Sequence, residues 1–164
     1  MPGFPVLKGR RIRLRAPVAD DVAPVFALFS DPDTMRHWPR APMRHTDEAA
    51  AYIAECAGHF EGGRRIDWIV ALPHADTAIG TCTLYDIEAG RGASIGYALL
   101  PAHRGRGLAT DAVLTATAWA FRTLALERVE ATVEPDNLAS QRLLARAGFA
   151  RAAIDRYCLV GGSR

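Results

Sequence analysis

The chain has 164 residues, 49% hydrophobic and 23% charged, with a formal net charge of +2 at neutral pH. That length suits a single domain over residues 1–164 with a sizeable core. No stretch approaches the roughly 20 apolar residues of a membrane span, and so small a charge argues against a nucleic-acid partner. The amino terminus has no basic-then-apolar leader, so the expected location is cytoplasmic. Cys56, Cys82 and Cys158 are odd in number, far apart and in apolar settings, which favours free buried thiols over disulfides. The five histidines show no metal-ligand spacing, and no metal is expected.

In chain order, Lys8 to Arg15 alternates, with Ile12 and Leu14 on one face and arginines on the other, and reads as a first strand. Asp20 or Asp21 can cap a helix running to Phe29, with Pro24 tolerated in its first turn, and Ser30 to Asp33 ends it. Met35 to Pro42 holds too many prolines for either regular element and is predicted to be a loop. Thr46 then caps a second helix, with Asp47 and Glu48 in its first turn and Gly62-Gly63 as its stop. Ile66–Leu72 and Ala78–Asp86 form a hairpin pattern, and a turn at Glu88 to Gly92 leads into a third strand ending at Leu99, Leu100 and Pro101.

A long Ala-rich helix follows to about Thr123, packing Leu108, Ala112, Ala116 and Trp119 on one side. Arg128 to Val133 is a short strand, and Asn137 to Ala147 a helix stopped by Gly148. Phe149 to Ile154 and Arg156 to Val160 read as closing strands. The resulting order, βααβββαβαββ, is an α/β (α+β) domain with a mixed central β-sheet.

Between the third strand and the long helix lies Arg104-Gly105-Arg106-Gly107-Leu108-Ala109-Thr110. Two glycines let the loop turn backbone N–H groups toward one point at a helix start. The helix dipole adds about half a positive charge there, so the expected ligand is anionic. A P-loop would need Gly-Lys-Ser/Thr, which is absent. A dinucleotide loop would have a third small residue where Thr110 stands.

What remains is Arg-x-x-Gly-x-Ala, from Arg104 to Ala109. It resembles the acyl-CoA pyrophosphate loop of the GNAT superfamily of N-acetyltransferases. The element order is similar too, and Asn137-x-x-Ser140-x-x-Leu143, followed by Gly148-Phe149, looks like that family's later CoA-side helix. Arg-x-Arg-Leu-Arg near the start, the Trp38-Pro39 loop, Ile79-Gly80, Ile95-Gly96-Tyr97 and Gly107 to Ala112 resemble the branch that includes ribosomal-protein-alanine N-acetyltransferases.

The resemblance implies a GNAT fold with a splayed pair of parallel strands binding acyl-CoA. It also implies acetyl transfer from acetyl-CoA, as cosubstrate, to a primary amine. A protein or peptide N-terminal amine is the first acceptor, a small amine, amino acid or antibiotic the second, and a non-catalytic acyl-CoA-binding role a third reading. Tyr97, Ala98 and Leu99 are then expected beside pantetheine, with the Leu99 amide as oxyanion donor. Arg104 to Thr110 would hold pyrophosphate. Asn137 has two compatible readings, as helix cap and as a hydrogen-bonding partner of pantetheine.

Many GNAT enzymes place an acidic Tyr where this chain has Leu144, so the resemblance points to Ser140 as general acid. The branch often has a Glu before Ile-Gly-Tyr, where Ser94 stands here. Glu88, with Asp86, is then the expected base, although an N-terminal amine of pKa about 8 can react without one. Asp111, in the first helical turn, is expected to complement the dipole. His37 and Trp38 fall in the loop that lines the acceptor cleft in this family. Monomer and homodimer are both open.

Overall fold

In the computed structural model, which describes residues 3–162, the elements are β1 (Leu7–Lys8), β2 (Arg13–Arg15), α1 (Val22–Ser30), α2 (Pro32–Met35), α3 (Thr46–Glu61), β3 (Ile66–Ala71), β4 (Ala78–Glu88), β5 (Gly92–Leu99), α4 (Leu108–Thr123), β6 (Arg128–Thr132), α5 (Leu138–Arg146), β7 (Ala150–Arg151) and β8 (Arg156–Val160). The strands form one sheet in the order β1-β2-β3-β4-β5-β6-β8-β7. Every neighbouring pair is antiparallel except β5 and β6. The expected mixed α/β sheet is therefore present.

Period-two alternation divides the sheet's side chains between two cores. Trp68, Val70, Ile79, Cys82, Leu84, Ile95 and Leu99 share one cluster with Val113 and Ala116 of α4 and Leu144 of α5. On the other face Ile69 and Ala71 join Val25, Leu28 and Phe29 of α1 and Tyr52 and Cys56 of α3. All six residues of β3 are buried, because helices cover both faces there. The helix expected to reach about Thr123 ends there, and Trp119 meets Trp68 edge to face at 5.6 Å.

The structure differs from the sequence expectation at three places. Lys8 to Arg15 is two strands, because Gly9 N–H donates to Ile12 O at 2.9 Å and folds the segment into a hairpin. A Cβ at Gly9 would sit 2.8 Å from Ile12 Cδ1 and 2.9 Å from Asp111 Oδ1, so side chains pack closely on the turn there. Pro32 starts the short helix α2, capped by the Asp31 carboxylate, which accepts from Thr34 N–H at 3.0 Å. Phe149 to Ile154 pairs only through Ala150 and Arg151, since the amides of Ala152 and Ala153 both turn back to Arg156 O.

Two further details shape the site. Thr46 begins α3 rather than capping it, and Glu48 Oε1 accepts from Arg44 N–H and His45 N–H, tying down the incoming loop. In β4 the register shifts between Tyr85 and Glu88, with Asp86 at φ 51°, a bulge at the end of the sheet remote from Leu99. The three cysteines are free, with Cys56 and Cys82 buried and Cys158 partly so.

Candidate active site

β5 pairs with β6 only at Gly92↔Arg128, Ala93↔Val129 and Ser94↔Glu130. Both strands continue beyond that point, β5 to Leu99 and β6 to Thr132, without pairing, so they diverge into a cleft. Leu100 N–H donates to Ile79 O on the β4 side. Backbone groups alternate sides along a strand, which turns those of Leu99 and Tyr97 toward the cleft. Leu99 O there accepts from Arg104 Nε at 2.9 Å.

A cavity of about 660 Å³ occupies the cleft, within the usual range for a small-molecule site. Tyr97, Ala98 and Leu99 line it from β5, Asn137, Ser140 and Leu143 from the α5 side, and His37 and Trp38 from the loop after α2. At one end stand Arg104, Gly105, Gly107, Leu108, Ala109 and Thr110. Arg106 is not on its wall. The sequence-predicted cofactor residues are thus brought together, apart from that side chain.

Gly105 and Gly107 adopt φ of 72° and 74°, a left-handed conformation that other residues enter only with strain. Gly107 is the N-cap of α4, so the amides of Leu108, Ala109 and Thr110 lack partners within the helix and open on the cavity. The Arg104 guanidinium is turned inward, and its Nη2 donates to Thr34 Oγ1 at 2.6 Å. It braces the end of β5 against α2 instead of standing free beside the loop.

Behind the loop, Asp111 accepts from Arg10 N–H at 3.1 Å and from Arg11 N–H at 2.7 Å, and Arg11 Nη2 donates to Arg106 O. Asp111 therefore staples the β1–β2 turn to α4 as well as sitting in the helix's first turn. His103 Nδ1, on a residue of the cavity wall, is buried without a hydrogen-bond partner. Open loop amides and strand groups facing the cleft fit a long polar ligand ending in phosphate.

At the inner end, Tyr97 Oη and Ser140 Oγ share a hydrogen bond of 2.5 Å. Burial pushes the Tyr97 phenol up to about 12, against the opposing Ser140 contact, so it holds its proton through the neutral range. Asn137 Oδ1 accepts from Ser140 N–H at 3.2 Å, which caps α5 and sets the position of Ser140. The chemistry available is a short hydroxyl relay next to a strand amide.

The carboxylates expected to act as a base lie elsewhere. Glu88 pairs with Gly92 in the sheet and bonds Arg91 at 3.1 Å, seven residues along β5 from Leu99, or roughly 20 Å at ~3.3 Å per residue. Neither Glu88 nor Asp86 lines the cavity. Ser94 lies opposite Tyr85 across β4 and β5, where burial raises the Tyr85 phenol. Sequence spacing put Glu88 at a strand end, and the sheet register puts that end away from the cleft.

Asp67 is fully buried beneath α3 and saturated. It accepts from Arg65 Nε and Nη2 at 2.9–3.0 Å, His59 Nδ1 at 2.9 Å, Thr83 Oγ1 at 2.9 Å and Tyr52 Oη at 3.2 Å. Burial favours its neutral form, and the contacts from Arg65, His59 and Thr83 outweigh it, holding the carboxyl below its usual value.

Among the described residues, two groups have metal-ligand proximity, Cys56-His59-Asp67 and His37-Glu134-Asp136. In each, an arginine already sits on a carboxylate: Arg65 on Asp67 and Arg36 on Asp136, the latter at 3.3 Å. Burial also pushes the Cys56 thiol up to about 12, which disfavours the thiolate a metal would need.

Trp38 meets Phe29 of α1 edge to face at 5.4 Å while also lining the cavity, so it both anchors the loop and forms part of the cavity wall. Sequence reasoning missed the contact of its neighbour His37 with Glu134. The two residues lie 97 positions apart, and no local pattern links them.

Comparison with known proteins agrees with this geometry. The uncharacterised N-acetyltransferase YoaA of Bacillus subtilis is 30% identical over 154 residues, covering 93% of this chain and 87% of that protein. The fold is similar to spermidine N-acetyltransferase from Vibrio cholerae in complex with CoA and spermine, with TM-score 0.80, 20% identity and coverage of 92% and 96% of the two chains. It is also similar to ribosomal-protein-S5-alanine acetyltransferase from Vibrio fischeri, with TM-score 0.77, 17% identity and coverage of 96% and 97%. Residues 11–150 match the family described as the acetyltransferase (GNAT) domain, and the chain belongs to that family.

Proposed function

We propose that the protein transfers an acetyl group from acetyl-CoA to a primary amine, with the free amino terminus of a protein or peptide as acceptor. The open edge of β5, leading from the loop at the start of α4 to the Tyr97–Ser140 pair, carries this reading. The amides of Gly105 to Thr110 hold pyrophosphate. Tyr97 to Leu99 pair with the pantetheine arm as an added strand would, with Asn137 beside it. The Leu99 amide faces the carbonyl oxygen and stabilises its developing charge. Ser140, with Tyr97 behind it, delivers the proton that the departing sulfur needs.

A peptide acceptor is supported by the likeness to a ribosomal-protein acetyltransferase. A small polycationic amine is the second reading, favoured by Glu134 and Asp136 at the cavity mouth and by the likeness to spermidine N-acetyltransferase.

Calorimetric titration with acetyl-CoA tests the first half. Wild-type protein should bind saturably, and Gly107→Trp, which fills the loop, should lose at least 100-fold in affinity while remaining folded. Equal binding by the two proteins would remove the ligand from this loop. An acceptor screen with a peptide bearing free amino-terminal alanine, spermidine and single amino acids then ranks the acceptor readings. Turnover of the amino acids alone would overturn the peptide assignment.

A further inference from the structure

Two walls of the cavity meet at its mouth through one imidazole. His37, in the loop after α2, places Nδ1 2.9 Å from Glu134 Oε2 and 3.5 Å from Asp136 Oδ1, both on the segment joining β6 to α5. A carboxylate can only accept, so neutral His37 carries its proton on Nδ1 and presents Nε2 as a lone pair. Its side chain is 20% exposed, on the same cavity as Tyr97, Leu99 and Ser140.

An acceptor amine arrives as an ammonium and must lose a proton before it can attack a thioester. Of the candidate carboxylates, Glu88 and Asp86 are at the far end of the sheet and Asp67 is saturated beneath α3. Ser94 offers no basic group. Asp33 lines the cavity from α2, but nothing fixes its orientation as two carboxylates fix that of His37.

We infer that His37 Nε2 is the base that deprotonates the acceptor, and that Glu134 and Asp136 are positioning residues that set its tautomer and orientation. This inference rests on the acetyl-transfer reading above. One ammonium proton moves to Nε2, and the freed electron pair forms the C–N bond to the thioester carbonyl carbon. A second nitrogen proton passes to Ser140 as Ser140 gives its own to the sulfur, and the C–S bond breaks. The third stays on the new amide, and the imidazolium returns its proton to solvent, so one proton is released per turnover.

The charged groups around the ring define the expected pH response. Glu134 and Asp136 face it from the β6–α5 segment, Arg36 stands beside it on its own loop, and Asp33 and Arg104 share the cavity wall. Histidine is the side chain whose ordinary titration falls between about pH 5 and 8. Turnover should therefore rise with pH in wild type along a limb that His37→Gln lacks.

The test combines kinetics and nitrogen NMR on the full chain, with the alanine peptide and spermidine as acceptor probes. His37→Gln, which can still donate to Glu134 but cannot take a proton, should lower kcat at pH 7 by about 100-fold. Acetyl-CoA affinity by calorimetry and the melting temperature should hold. With the alanine peptide the loss should shrink above pH 9, where its α-amine has shed its own proton.

In wild-type protein the His37 imidazole should resonate as the Nδ1–H tautomer, and in a Glu134→Gln/Asp136→Asn double variant as a mixture. Turnover by wild type and His37→Gln that matches at every pH would overturn the inference and leave acetyl transfer standing. So would an Nε2–H tautomer in the wild type, which does not depend on the variant's folding. No turnover of either probe by wild type that binds acetyl-CoA would overturn the transfer reading with these acceptors, and the base with it.

Discussion

Along β4, strand β5 keeps six consecutive pairs, from Gly80↔Leu99 to Tyr85↔Ser94, whereas along β6 it keeps three and stops at Ser94↔Glu130. One strand thus has a closed edge and an open one. The closed edge is backed by Asp67, Thr83 and Tyr52 and by a close approach of the two backbones at Gly80. At the open edge side chains take over the pairing, Tyr97 with Ser140 and Arg104 with the backbone Leu99 O. Stability should depend on the first edge and turnover on the second, and substitutions can separate them.

The largest effect is expected at Asp67. Asp67→Asn removes the carboxylate that holds Arg65 and His59, and should lower unfolding free energy by roughly 3 kcal/mol, the low end for a broken buried pair because Arg65 is 39% exposed and can turn to water. Denaturant melts measure this, and acetyl transfer by the folded fraction should hold.

The same residue sets a pH response. Its folded-state pKa lies below the unfolded value of about 3.9, so its contribution is complete above that value and is lost as the pH falls below about 4. Melts at pH 7, 5 and 3 should show that loss in wild type and a weaker one in Asp67→Asn.

Gly80→Ala comes next, at about 2–3 kcal/mol. Its Cβ would lie 2.2 Å from Ala98 O, so the β4 and β5 backbones must part. Because Ala98 also lines the cavity, this is the closed-edge change expected to raise the dissociation constant of acetyl-CoA as well.

Ser140→Ala and Tyr97→Phe should do the reverse, slowing kcat about 10- to 100-fold, or roughly 1.4–2.7 kcal/mol of barrier, with a melting temperature near that of wild type. A loss of stability without a kinetic effect would make the hydroxyl pair structural. The smallest change is expected at Gly96, where an added Cβ would meet only Tyr85 Cε1 at 3.8 Å. Gly96→Ala should leave both stability, within about 0.5 kcal/mol, and turnover unchanged.

Local chemistry made much of this legible before any coordinates. The Arg104 to Ala109 loop, the helix to Thr123, the strand from Arg156 to Val160 and the Asn137 cap are all specified by neighbours within a few residues. The closed edge was partly visible as well, since the turn from Glu88 to Gly92 that joins β4 to β5 is local. The open edge was not, because a missing pairing has no signature in the residues that fail to pair.

Contacts between distant segments escaped for the same reason. Alternation puts Tyr97 on the face of Ile95 and Leu99, but nothing local says that Ser140, 43 residues on, lies under its hydroxyl. The charge on Arg104 suggested a phosphate contact, while its path to Leu99 O and Thr34 depends on how α2 packs. Glu88 was correctly placed near a strand end, and only the sheet register tells which end faces the cleft.

The Asp111 staple ties residues 10 and 11 to a helix start 100 positions later. Closing so large a loop costs entropy that the hairpin alone cannot recover, so the staple should lock only once the central strands have formed. The glycine loop then acquires its shape late in folding and is released early in local opening. Amide exchange at Asp111, whose N–H donates to Gly107 O, should therefore report the docking of the amino-terminal hairpin, and an engineered extension ahead of β1 that disturbs that docking would be felt at the phosphate end of the cavity.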